Sequence, residues 1–207
     1  VTDEKNGLFS RIIDERTDYA TVVLEDLFQS HNQSAVMRSA DCFGIQDVHI
    51  IENRNAYDIT STVSQGAREW LSLYRERENN TQAVIDKLRG EGYRIIATTP
   101  HQGDVLIDDL DLEKGKMAFF FGTELTGLSD VVIGQADEFV KVPMYGFTES
   151  LNVSVCAALV MYSVRQRLRV SPIDWHLSEE KRTEVLLQWY RKAIKASEEI
   201  LERFNRE

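Results

Sequence analysis

Met117-Ala118-Phe119-Phe120-Phe121-Gly122-Thr123-Glu124-Leu125-Thr126-Gly127-Leu128-Ser129 is the stretch on which the fold turns. Five apolar residues closed off by a glycine read as a short buried strand that runs into a turn. Similar runs lie at 21–27, 48–51, 93–98 and 139–142, each bounded by polar residues or glycine. Between them, apolar residues recur at helical spacing over 33–43, 81–91 and 130–136. Strands alternating with helices predict an α/β fold with a mainly parallel sheet and flanking helices, because parallel neighbours need long crossover connections. After the last strand, 151–168 reads as a long apolar-rich helix, and Ser171-Pro172 breaks it from an amphipathic helix over 178–204. The predicted layout is a helical N-terminal extension (1–16), a central domain (17–170) and a helical C-terminal extension (171–207).

The 207 residues allow one catalytic domain with extensions, and a hydrophobic fraction of 43% is enough for a core without staples. The two cysteines, Cys42 and Cys156, sit in apolar helical runs and read as small core residues in a reducing compartment. The four histidines are scattered without metal-site spacing, so no metal is expected. No run is long and apolar enough for a membrane span, and no apolar signal-peptide core follows the charged start. A cytoplasmic location is therefore expected. The net charge of −10 opposes nucleic-acid binding. Much of it is local, however: residues 101–140 hold nine acidic residues against Lys114 and Lys116. Arginines gather elsewhere, at Arg11 and Arg16 and at Arg165, Arg167 and Arg169, which leaves room for an RNA-facing side.

Three segments carry candidate chemistry, all where open α/β sheets bind ligands, after the predicted strands. In Ser30-His31-Asn32-Gln33-Ser34-Ala35-Val36-Met37-Arg38, Ser30 and Gln33 match a capping box. Arg38 stands among apolar neighbours, which suits either a structural ion pair or an anion-binding role. In the opening segment, Gly122 and Gly127 permit close backbone approach, so a flat adenine or ribose could lie against the main chain. The third segment is Val142-Pro143-Met144-Tyr145-Gly146-Phe147-Thr148-Glu149-Ser150-Leu151-Asn152-Val153-Ser154-Val155. There Ser150 is the expected N-cap, and Asn152 falls in the first turn of an apolar helix, where an amide needs a partner.

In order and content these segments resemble the three motifs of the SPOUT superfamily, and within it the TrmH (SpoU) branch of ribose 2′-O-methyltransferases. The matching residues are Asn32 and Arg38, then Gly122 and Glu124, then Pro143, Ser150, Leu151 and Asn152, and the resemblance spans roughly 17–168. Val63-Ser64-Gln65-Gly66-Ala67-Arg68-Glu69-Trp70 also looks like a loop of the members that methylate guanosine 18 of tRNA. The resemblance implies a deep trefoil knot in the C-terminal half of the sheet, S-adenosylmethionine as cofactor, a homodimer and tRNA as partner. General topology rules treat a knot as a rare exception.

By the same resemblance, Thr98, Gly122, Val142, Pro143, Met144 and Leu151 contact the cofactor, mostly through main-chain groups. Asn32 and Asn152 orient the ribose and Arg38, while Ser150 and Glu124 shape the cofactor loops. Arg38 either deprotonates the 2′-hydroxyl with help from an RNA phosphate or stabilises the developing alkoxide. Because arginines are normally protonated, the first role is chemically demanding. RNA contact falls to Arg11, Arg16, Arg165 and Arg167, whose alternative reading is solvated helix surface. Two rivals keep the fold: a methyltransferase acting on ribosomal RNA, and a catalytically silent RNA-binding homologue. A dinucleotide oxidoreductase would need a G-x-G-x-x-G turn after the first strand, which is absent.

Overall fold

The structure, a computed structural model, describes residues 2–54, 66–77, 80–100 and 104–194. In chain order the elements are α1 (Asp3–Ile13), β1 (Ala20–Glu25), α2 (Ser30–Cys42), β2 (Asp47–Glu52), β3 (Ser72–Arg77), α3 (Thr81–Gly90) and β4 (Arg94–Thr98). They continue with β5 (Val105–Leu106), β6 (Met117–Phe121), α4 (Asp130–Gln135), β7 (Glu138–Lys141), α5 (Val153–Val170) and α6 (Glu179–Ala193).

The three phenylalanines of β6 explain the layering. Side chains alternate along a strand, so Phe119 and Phe121 join Val22, Leu24, Met37, Ala40, Val160 and Val164 on one face. Phe120 points the other way, to Val23, Val84, Ile85, Leu88 and Val132. Helices α2 and α5 cover the first face, and α3 and α4 the second. Each fully buried aromatic or aliphatic side chain contributes roughly 1.5–3 kcal/mol from water exclusion. The sheet has seven strands in the order β3-β2-β1-β6-β4-β7-β5, and every pairing is parallel. The α/β expectation is met.

Several local expectations are corrected. Strand β1 stops at Glu25 because Asp26 turns the chain with a left-handed φ of 54°. Its carboxylate holds that turn by accepting the backbone N–H groups of Asn53 and Arg54, both at 2.7 Å. Two strands escaped the hydrophobic pattern. Strand β3 is an edge whose charges serve the sheet: Arg75 and Arg77 both pair with the buried Glu52 on β2, at 2.9 and 3.3 Å. Strand β5 is only two residues long. The capping box at Ser30 and Gln33 does not form. Gln29 occupies the N-cap position of α2, and the buried Gln33 donates instead to the Leu27 carbonyl at 2.7 Å. Cys42 is exposed rather than in the core; Cys156 is partly buried, and burial pushes its thiol up to about 11.

By chain contacts the molecule divides into two units. In Thr17–Trp175 the Thr17 hydroxyl donates to the Trp175 carbonyl, which ties the two ends of that unit together. The other unit comprises the described residues of Val1–Arg16 and His176–Glu207. Here α1, capped by Thr2, sets Phe9 edge-on against Trp189 and Tyr190 of α6, with ring centroids 5.6 and 5.3 Å apart. The buried stripe of α6 is Val185 and Trp189; of the helix expected over 178–204, residues 195–204 lie outside the described residues.

Candidate active site

Asn32, from the first turn of α2, is 1% exposed and gathers all three motifs. Its amide nitrogen donates to Glu124 on the loop after β6, and to Gln29 at 3.2 Å. Its amide oxygen accepts from Asn152 at 3.2 Å. Asn152 is the N-cap of α5, where its own oxygen accepts the Ser154 N–H at 2.9 Å and the Ser154 hydroxyl at 2.6 Å. Chemistry fixes every orientation in this chain. A backbone N–H can only donate and a carboxylate can only accept, so both amides between them have one permitted sense. The sequence reading of Ser150 as the α5 cap and of Asn152 as an amide in the first helical turn is corrected: Asn152 caps the helix and is itself exposed, while Ser150 lies two residues earlier, also exposed.

The Glu124 loop is held by its glycines. Thr123 and Gly127 exchange two backbone hydrogen bonds of 3.0 Å, and Gly127 takes a left-handed φ of 69°. Gly122 lies directly against the main chain of Gly127 and Leu128, leaving no room for a Cβ. On the β1 side of this loop opens a cavity of about 1030 Å³. At the end of β1 within it sits Glu25, buried, accepting from the Thr81 hydroxyl at 3.0 Å and from the Ser129 N–H and hydroxyl at 2.9 and 2.7 Å. Sequence reasoning missed Glu25, Gln29 and Ser154. A lone carboxylate ending the apolar run Ala-Thr-Val-Val-Leu was the available signal for the first.

On the other side of the loop the register places β4 between β6 and β7. The ends of these strands therefore bring together Thr98, Gly122 and Val142, and the Thr98 hydroxyl donates to the Phe120 carbonyl at 2.7 Å. Pro143 and Met144 follow, half-buried, and Leu151 lies more open. Arg38 is exposed on α2, two turns beyond the amide chain, and makes no side-chain hydrogen bond or ion pair among the described residues.

Of the four arginines assigned to RNA, two are corrected by burial. Arg165 is 5% exposed and lies over the Trp175 ring at 3.8 Å, and Arg16 is 2% exposed over Trp189 at 5.4 Å. Neither presents a guanidinium to a phosphate. Arg167 is half-buried and donates to the carbonyls of Ile107 and Leu110. Arg11 stands open. Residues 63–65 of the loop 63–70 lie outside the described residues. Among the described residues no cluster of His, Cys, Asp and Glu could hold a metal, and no helix is long and apolar enough to cross a membrane.

A parallel sheet covered by helices on both faces, with polar side chains from three loops meeting beyond its strand ends, defines the class: an α/β protein with a ligand crevice at the carboxyl edge of its sheet. Within that class the chain belongs to the SpoU rRNA Methylase family, whose sequence profile matches residues 19–162. It is 44% identical to the tRNA (guanosine(18)-2′-O)-methyltransferase of Borreliella burgdorferi, over 94% of this chain and 88% of that protein. Its fold resembles the crystal structure of the A. aeolicus TrmH/SpoU tRNA modifying enzyme, with a TM-score of 0.81 at 24% identity, covering 93% of this chain and 98% of the other. It also resembles the SpoU methyltransferase AviRb from Streptomyces viridochromogenes in complex with AdoMet, with a TM-score of 0.67 at 24% identity over 78% of this chain and 62% of that one.

Proposed function

We propose that this chain transfers a methyl group from S-adenosylmethionine to a ribose 2′-hydroxyl of RNA, at guanosine 18 in the D-loop of tRNA. The observation that carries the reading is the oriented chain from Ser154 through Asn152 and Asn32 to Glu124, which joins the three motifs into one polar site. The 44% identity to a tRNA (guanosine(18)-2′-O)-methyltransferase supports the substrate.

The crevice suits the cofactor. Gly122, with no Cβ, lets the Gly127–Leu128 backbone fold back against it and so shapes the loop at the strand ends where Thr98 and Val142 also arrive. Thr98, Gly122, Val142, Pro143, Met144 and Leu151 would hold it. When bound, S-adenosylmethionine supplies an electrophilic sulfonium methyl. What remains for the protein is to place a hydroxyl oxygen in line and to favour its ionisation. Arg38, exposed and cationic, holds an RNA phosphate and stabilises the developing alkoxide, and the hydroxyl proton passes to solvent. Asn32 and Asn152, locked in one orientation, keep the α2 and α5 ends in register around the ribose. Arg11 adds a phosphate contact on the outer surface.

The same proposal includes a cytoplasmic homodimer and a knotted chain. The late strands β6 and β7 lie among earlier ones in the sheet, as threading requires. On α5, Val155, Leu159 and Tyr162 form an exposed apolar stripe that a second copy would cover. Sedimentation at micromolar concentration is expected to give a dimer, and a stable monomer would count against it. The functional test is transfer of labelled methyl from S-adenosylmethionine into unmodified tRNA transcripts, followed by nucleoside analysis. Label in the ribose of the D-loop guanosine is the expected result. Label in ribosomal RNA alone would overturn the substrate, and label in neither would overturn the activity.

A further inference from the structure

We infer that the cavity beside Glu124 is the binding site for the base of the target nucleotide, and that it is built for guanine. This inference rests on the reading of the chain as a ribose 2′-O-methyltransferase. Two residues on the cavity wall, Gln29 and Glu124, are also the partners of the Asn32 amide, so the cavity opens directly beside the oriented chain. A ribose held at that chain has its base within one nucleotide's reach, and the volume of about 1030 Å³ accommodates one.

Two further features point to a planar, neutral, donor-rich occupant. Phe28 and Leu125 line the cavity while 75% and 96% exposed, large apolar surfaces left in water at its mouth. An exposed aromatic face beside an RNA site is what an unstacked base packs against. The charges exclude the alternative of a phosphate: among the described residues, Glu25, Asp26, Glu124 and Asp130 line the cavity against one guanidinium, Arg54. Carboxylates instead match a base edge that donates. Guanine presents N1–H and the N2 amine side by side, which fit the two oxygens of one carboxylate, and uracil, cytosine and adenine offer no such pair. Glu25, Asp26 and Glu124 already accept hydrogen bonds from the protein. Asp130, exposed in the first turn of α4 and without a hydrogen-bond partner among the described residues, has both carboxylate oxygens open and is assigned to the guanine edge, with Phe28 as the stacking surface.

The test measures methyl-transfer kinetics and guanosine binding by calorimetry in parallel, for the full chain and for Phe28→Ala and Asp130→Asn. Both side chains are exposed, so both variants should fold. Phe28→Ala is expected to raise KM for tRNA by about tenfold, with a smaller change in kcat, and to weaken guanosine binding equally. Asp130→Asn should erase the preference for guanosine over inosine at the target position, since inosine lacks the N2 amine. Unchanged KM and an intact guanosine preference in both variants, with active parent protein, would overturn the base site and leave the methyltransferase reading standing. A parent protein that binds guanosine through Phe28 and Asp130 yet methylates no RNA would support the site and overturn that reading.

Discussion

Arg38→Ala is expected to reduce methyl transfer by about 10²- to 10⁴-fold, the range seen when a group that stabilises developing charge or assists proton removal is deleted. Fold and cofactor affinity should survive. Arg38 is exposed, makes no hydrogen bond or ion pair among the described residues, and stands in the middle of α2, where alanine is a good helix former. The change in stability should stay within about 0.5 kcal/mol. Single-turnover transfer, thermal unfolding and S-adenosylmethionine titration measure the three quantities separately. Turnover close to that of the parent would remove Arg38 from the mechanism. A loss of turnover accompanied by unfolding would instead make its role structural. Arg38→Lys keeps the charge without the planar fork and should recover only part of the activity.

Gly122→Ala is expected to act through the backbone. The added methyl would overlap the main chain of Gly127 and Leu128, neither of which can step aside without breaking the paired Thr123–Gly127 hydrogen bonds. Overpacking of this kind costs about 1–3 kcal/mol. Because the same loop carries Glu124 to Asn32, its displacement also loosens the site, and both S-adenosylmethionine affinity and transfer should fall by more than about tenfold. Gly134→Ala is the matched control: that glycine lies inside α4 with open space around its Cβ position, so alanine there should be neutral or stabilising by up to about 1 kcal/mol. Calorimetric unfolding and cofactor titration of the two variants side by side distinguish a clash from a general intolerance of alanine. Equal behaviour of the two would mean that the loop does not depend on close approach at Gly122.

The sequence determined by itself whatever depends on neighbouring residues. Strands β1, β2, β4, β6 and β7 were legible because each carries a short cluster of β-branched, aliphatic or aromatic residues bounded by polar residues or glycine, a pattern read from neighbours in the chain alone. The motif residues were legible as groups because each motif is contiguous. Tertiary structure alone decided what depends on partners distant in the chain. Strand β3 looks too polar to be one until Glu52 arrives from β2 to accept Arg75 and Arg77. Arg16 and Arg165 look like surface cations until Trp189 and Trp175 cover them. Ser150 and Asn152 are equally good caps by local preference, and Asn152 takes the position, where one amide can bind both Ser154 in its own helix and Asn32, 120 residues away. Side-chain partners across such separations are set by where the strands lie in the sheet, and the order β3-β2-β1-β6-β4-β7-β5 is written in no local pattern. It follows from how helices of given length and hydrophobic faces can cover both sides of one sheet, a condition on the whole chain at once.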